Sequence, residues 1–203
     1  MSISNIDVLK KLESFDKAYF TTADLKKLFP SEKEGFTTFL KRLVDKEILV
    51  RLAKGIYMVR GGAWEIDRIA NQLYYPSYLS FVTVLGRGGI LNQIPYSLTF
   101  ATTRKSKRMT LGGTDIVYSQ IKPELYFGYV IEKGVNIAEP EKALLDQLYL
   151  VSLGKTTLDF EELNLIDLDK KKFLSYAARF PKRIKRGLRE IKRRWGTVSV
   201  TIK

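Results

Sequence analysis

Arg104, Lys105, Lys107 and Arg108 fall within five consecutive positions of the stretch ATTRKSKRM, interrupted only by Ser106. Four neighbouring cations cannot be buried unpaired, so this cluster must face water. There it serves as a solvated turn, a grip on phosphate or a docking surface for an acidic partner. A second concentration lies near the C-terminus, where Arg179 to Arg194 hold nine Lys or Arg and one acid, Glu190. Lys182, Arg183, Lys185 and Arg186 stand early in that run. The whole chain has 203 residues, a net charge of +13 and a pI near 9.8, which favours a polyanionic partner, most simply nucleic acid. The charge is uneven: residues 1–60 carry a net +4, residues 61–154 a net +1 and residues 155–203 a net +8. The cluster at 104–108 is therefore a local feature of a nearly neutral middle third.

Other chemistry is scarce. There is no cysteine, which excludes disulfides, thiolate metal sites and cysteine nucleophiles, and no histidine, which removes Ser-His-Asp triads and His-ligated metals. Carboxylate chemistry is what remains. A metal-dependent nuclease needs an Asp near a Glu-x-Lys to hold the ion and position a water. The one Glu-x-Lys, Glu190-Ile191-Lys192, lies inside the basic run, with Asp115 as a conceivable second carboxylate. A nucleotidyltransferase would show Gly-Ser followed by Asp-x-Asp, which is absent, and Gly86, Gly88 and Gly89 match neither a P-loop nor GxGxxG. The expectation is a protein without catalysis, cofactor or metal, with a nuclease as an alternative. No apolar run approaches the roughly 20 residues of a membrane span, and the N-terminus does not read as a signal peptide, so a soluble cytoplasmic protein is expected.

The elements that position these cations are legible in outline. Ile6, Leu9, Leu12 and Phe15 have helical spacing. Thr21 or Thr22 can cap a short second helix closed by Pro30, and Ser31 with Glu34 has capping-box spacing before a third. In that third helix Phe36, Phe39, Leu40, Leu43 and Val44 form an apolar face, leaving Thr38, Lys41, Arg42 and Asp45 on the other side. Residues 48–52 and 56–59, joined through Ala53-Lys54-Gly55, read as a hairpin bearing Arg51 and Lys54. Three helices and a small hairpin describe a winged helix-turn-helix over residues 1–61. Thr37, Thr38, Lys41 and Arg42 are its candidate DNA contacts on the helix, and Arg51 and Lys54 those on the wing. The bland alternative is a solvated face or a protein-contact module.

Gly61-Gly62 marks the domain boundary, and residues 62–203 form the second domain of an α+β protein. Residues 63–74 suggest a connecting helix, and Pro76-Ser77 the start of another through YLSFVTVLGRGGIL, ended by its glycines. YSLTFATT, MTL, TDIVYSQI and LYFGYV read as strands of a small sheet, the cluster sitting near the end of one. A helix starts at Pro140, with Ala143, Leu144, Gln147, Leu148 and Val151 inward. Pro123, Leu125, Phe127, Leu145 and Glu141 have structural roles in this reading, Glu141 in a first helical turn. Ile184, Leu188, Ile191 and Trp195 give the C-terminal basic helix an apolar stripe, and TVSVTI a short closing strand.

The motifs YLSFVTVL…GIL…IPYSLTFATTRKSKRM, IKPELYFGY and IAEPEKALLDQLYL, in this order, resemble the AbiEi antitoxin family of type IV toxin–antitoxin and abortive-infection systems. The resemblance covers roughly residues 20–155. It departs at TVLGRGGIL, where relatives tend to carry an aromatic-histidine pair before the glycine. It implies an N-terminal winged helix joined to an antitoxin domain. It also implies a repressor that binds inverted repeats in its own promoter, two copies binding cooperatively, and that counteracts a nucleotidyltransferase-type toxin without a stable complex. Arg104, Lys105, Lys107 and Arg108 would then extend the phosphate grip, with Lys182, Arg183, Lys185 and Arg186 as further contacts. A module that binds the toxin or another acidic partner directly is the alternative.

Overall fold

The computed structural model describes residues 3–15, 17–30, 35–60, 65–92 and 95–198. Among them are eight α-helices, two 3-10 turns and two sheets, an α+β architecture. The chain divides into two units, Met1–Ala70 with Thr110–Thr114, and Asn71–Met109 with Asp115–Lys203. Gly61 and Gly62 lie outside the described residues. The helix α4 (Glu65–Leu73) carries the chain across the division after Ala70.

In the first unit α1 (Asn5–Glu13) is capped by Ser4, whose hydroxyl oxygen accepts the Asp7 N–H at 3.2 Å. Its buried residues are Val8 and Leu12, while Ile6 is 66% exposed; the inward stripe is rotated from the one that Ile6 and Phe15 suggested. β1 (Phe20–Thr21) leads directly into α2 (Thr22–Leu28). Thr21 closes a capping box there: its hydroxyl accepts the Asp24 N–H at 3.1 Å and the Asp24 carboxylate accepts the Thr21 N–H at 2.9 Å. That backbone bond, ahead of the Thr21 hydroxyl and Lys17, holds the Asp24 carboxyl below the usual range against the opposing effect of burial. A folded-state pKa below the unfolded one adds stability above the unfolded pKa, which is lost as pH falls through the folded value. We therefore expect Thr21→Ala to cost about 1 kcal/mol near neutrality and less in acid, as read from urea melts at both pH values.

α3 (Phe36–Asp45) begins after Gly35, which makes no side-chain cap; Ser31 and Glu34, the expected capping box, lie outside the described residues. β2 (Leu49–Ala53) and β3 (Ile56–Val59) form the hairpin, and the sheet order is β1-β3-β2 with antiparallel pairing. Phe20, Leu25, Phe29, Phe39, Leu43 and Leu49 close the core over Val8 and Leu12. The Gly112 N–H donates to the Leu52 carbonyl at 2.9 Å, which ties residues 110–114 to this unit.

The second sheet has the order β6-β7-β5-β4-β9-β8. β4 (Ser77–Leu79) lies antiparallel to β5 (Ser97–Thr102) and parallel to β9 (Val135–Ala138). β5 runs parallel to β7 (Thr114–Gln120), β6 (Lys107–Leu111) is an edge, and β8 (Tyr129–Glu132) pairs with β9. Two expectations are corrected. Ser77 begins a strand, not a helix; the helix α5 starts only at Phe81 and ends at Arg87, with Gly88 as its C-cap. LYFGYV is not one strand: its Leu125 closes a 3-10 turn begun at Pro123, and β8 starts only at Tyr129, after Gly128 at φ +69°.

α6 (Pro140–Ser152) is the central helix of the unit. It was expected to bury one face, yet every residue from Glu141 to Leu150 is buried. α7 (Lys170–Ala177) and α8 (Lys185–Val198) complete the unit; Ile184, Ile191 and Trp195 are buried and Leu188 is half-buried, as their spacing implied. Gly187 permits the crossing of α8 over α6, because a Cβ there would stand 2.7 Å from Leu148 Cδ2. Thr197 and Val198 belong to α8, so the expected closing strand does not begin there; residues 199–203 lie outside the described residues.

Candidate nucleic-acid interface

In the first unit Thr37, Thr38 and Lys41 are exposed on one side of α3, with Asp45 exposed near its end. The apolar residues Phe39, Leu40 and Leu43 face the core and fix that orientation. Arg42 does not join the outward row. It is half-buried, its Nη1 donates to Asn5 Oδ1 at 2.6 Å, and its guanidinium lies 5.3 Å from the Phe39 ring centre, so it braces α3 against α1. Arg51 on β2 and Lys54 in the hairpin turn are exposed. Lys41 and Arg51 line an open groove of about 470 Å³ with Thr37 and Asp45, floored by Leu40 and Tyr57.

In the second unit the four cations straddle two elements instead of ending one strand. Arg104 and Lys105 lie in the connection after β5, and Lys107 and Arg108 open the edge strand β6. All four are exposed, and among the described residues no carboxylate pairs with them. Their backbone is well fixed. The Gln120 N–H donates to Ser106 Oγ at 3.0 Å, Gln120 Nε2 to the Thr103 carbonyl at 3.3 Å, and the Tyr74 hydroxyl to the Lys105 carbonyl at 2.9 Å. Arg104 lies over the Tyr74 ring at 4.1 Å and Lys107 at 5.1 Å. A cation held against a ring loses less freedom on binding an anion than one on a free stem.

Lys182 and Arg183 sit in the 3-10 turn before α8, and Lys185 and Arg186 in its first turn; all are exposed. Cations are unfavourable at this positive end of a helix, so helix stability does not account for their placement. Further along, Glu161 bonds Arg194 at 2.6 Å, and Glu161 and Glu190 lie 3.4 and 3.0 Å from Arg193, so that end is partly neutralised. Arg183 and Arg186 border a groove of about 520 Å³ with Leu148, Val151 and Thr157.

Sequence reasoning missed the polar centre of the second unit. Lys142 and Asp146, fully buried and one turn apart on α6, form an ion pair. Asp146 Oδ2 also accepts from the Tyr78 hydroxyl at 2.8 Å and the Ser80 hydroxyl at 2.9 Å, and Lys142 Nζ donates to the Tyr78 oxygen at 2.7 Å. The rings of Phe127, Phe180 and Tyr78 surround the ammonium at 5.1 to 5.2 Å. Burial pushes the Asp146 carboxyl up and the Lys142 ammonium down, while their mutual attraction opposes both. The signal was available in PEKALLD, a Lys and an Asp at i,i+4 spacing in a helix rich in leucine.

Beside this centre Glu141, Leu125, Leu144 and Leu145 are buried in structural positions, and Glu141 Oε1 accepts the Asp169 N–H at 2.9 Å. Burial works to raise Glu139, but bonds from Lys172 and Tyr176 outweigh it and hold the carboxyl below its usual range.

Among the described residues no three or more Asp or Glu gather where they would hold a metal ion, and no helix is long and apolar enough to cross a membrane. No family model matches this chain, and no curated protein matches its sequence. The crystal structure of the RV2827C protein from Mycobacterium tuberculosis is similar, with a TM-score of 0.56 at 12% identity, covering 91% of this chain and 74% of that one. At this identity the likeness is one of fold alone.

Proposed function

We propose that the first unit is a winged helix-turn-helix that reads duplex DNA, and that the protein is an AbiEi-like antitoxin. In this reading it represses its own operon from inverted repeats, two copies binding cooperatively, and counteracts a nucleotidyltransferase-type toxin without forming a stable complex. The observation that carries the DNA-binding part is the element order α1-β1-α2-α3-β2-β3 with exposed Thr37, Thr38 and Lys41 on α3 beside exposed Arg51 and Lys54 on the hairpin. α3 enters the major groove, where Thr38 and Lys41 meet base edges, while the hairpin reaches the neighbouring phosphates. Arg104, Lys105, Lys107 and Arg108, and the cluster Lys182, Arg183, Lys185 and Arg186, supply sequence-independent phosphate contacts. The antitoxin part rests on the three sequence motifs.

The test is a fluorescence-anisotropy titration against duplex from upstream of the protein's own gene, beside a scrambled duplex, at two salt concentrations. Preferential binding to the upstream duplex that persists at the higher salt supports the repressor. Equal, salt-labile binding to both removes it and moves direct capture of an acidic partner to first place, where co-purification with the neighbouring gene product decides. Lys41→Ala is expected to lower discrimination at one base position by about 1–3 kcal/mol, and Thr38→Ala to shift sequence preference, measured on a panel of single-base operator variants.

A further inference from the structure

Tyr75 is 67% exposed, a large ring left in water beside the cations of the second unit. Its carbonyl accepts a hydrogen bond from Arg104 Nη1 at 3.2 Å. The preceding Tyr74 supports Arg104 and Lys107 on its own ring. Tyr126 and Tyr129 are half-buried with ring centres 5.2 Å apart, and Tyr129 stacks on the buried Tyr78 at 5.1 Å and 14°. Burial, ahead of the neighbouring phenol of Tyr129, pushes the Tyr126 phenol well up. Tyr75 is thus an exposed ring on the backbone that Arg104 bonds, next in sequence to the ring that carries Arg104 and Lys107.

We propose that this surface binds single-stranded nucleic acid, with an unpaired base stacked on Tyr75 and the flanking phosphates held by Arg104, Lys105 and Lys107. Phosphate contact alone explains the cations but not the exposed ring. A base inside a duplex has both faces covered by its neighbours, so only an unpaired base can offer one to Tyr75. The pairing of a stacking ring with cations along a backbone is how sequence-tolerant single-strand sites work. Arg104 links the two functions physically, since it bonds the Tyr75 backbone and lies over Tyr74. The inference goes beyond duplex reading by the first unit and depends on second-unit residues alone.

The full-length protein, with Tyr75→Ala and Tyr75→Phe variants, is titrated by anisotropy against short thymidine and uridine homopolymers and a scrambled duplex. Tyr75→Ala is expected to weaken single-strand binding about tenfold, and Tyr75→Phe to stay within about twofold of the natural protein. Duplex affinity should be unchanged in both variants. A loss confined to thymidine assigns the site to DNA, one confined to uridine assigns it to RNA, and either supports the proposal. Unchanged single-strand binding by Tyr75→Ala overturns it, and so does an equal loss on the duplex, which would make the ring part of a general phosphate grip. Duplex reading fails separately, through loss of preference for the upstream duplex.

Discussion

A Lys142→Met variant unfolds at much lower urea than the natural protein, with about 3–5 kcal/mol of stability lost. The cause is the partner left behind. Asp146 is fully buried, and without the ammonium it keeps only the Tyr78 and Ser80 hydroxyls as donors. The surrounding rings of Phe127 and Phe180 cannot solvate a carboxylate. Met fills much of the stem's volume, so the loss reports charge and not a cavity. Asp146→Asn removes the anion but keeps an acceptor for the two hydroxyls. In a double-mutant cycle the pair Lys142→Met/Asp146→Asn therefore loses less than the sum of the singles, by about 1 kcal/mol or more. The pH dependence has a definite sign. Burial already raises Asp146, and losing Lys142 raises it further. A folded-state pKa above the unfolded one gives stability that is present below the unfolded pKa and lost as pH rises through the folded one. The penalty of Lys142→Met accordingly grows from mild acid to neutrality. A pH-independent penalty, or fully additive singles, would show that the pair is not coupled.

On the DNA-binding reading proposed above, replacing Arg104, Lys105, Lys107 and Arg108 together by Ala is expected to weaken binding to every duplex and flatten its salt dependence. Each phosphate contact contributes about 0.9 to the slope of log affinity against log salt, so loss of four contacts lowers it by about 3.6. At low salt this amounts to a loss of about a hundredfold or more. The discrimination between upstream and scrambled duplex should survive, because Thr38 and Lys41 are untouched. A matched variant of Lys182, Arg183, Lys185 and Arg186 ranks the two clusters by the slope each removes. An unchanged slope in the first variant would take these four cations off nucleic acid. Thermal melts accompany the comparison, since the substitutions also strip two cations from the Tyr74 ring, which packs on Tyr118 at 4.8 Å.

Most of the first unit was legible because its signals are local. Thr21 was one of two cap candidates for α2, and the structure closes a capping box on it through Asp24, three residues on. The apolar period of α3 oriented Thr38 and Lys41 correctly, and the two strands around Lys54-Gly55 formed the hairpin. Arg42 was misplaced because its partner, Asn5, is 37 residues away in the chain. In the second unit Ser77–Leu79 became a strand because β5 and β9 lie on either side of it, which local spacing does not encode.

Composition alone removed cysteine and histidine chemistry, and the net charge of +13 raised the expectation of a polyanionic partner. Charge and the absence of a residue type are properties of the chain in any conformation. Periodicity likewise determined that Ile184, just before α8, and Ile191 and Trp195 within it would be buried, with Lys185, Arg186, Arg189 and Lys192 turned to water. The tertiary structure alone decided that α6 would be enclosed from Glu141 to Leu150, so that Lys142 and Asp146 meet Tyr78 and Ser80 away from the surface. It alone also placed Tyr74 beneath Arg104 and Lys107, and the Tyr75 carbonyl against Arg104. These contacts join residues far apart in sequence, and their energies depend on the burial and dielectric that only the assembled neighbours create.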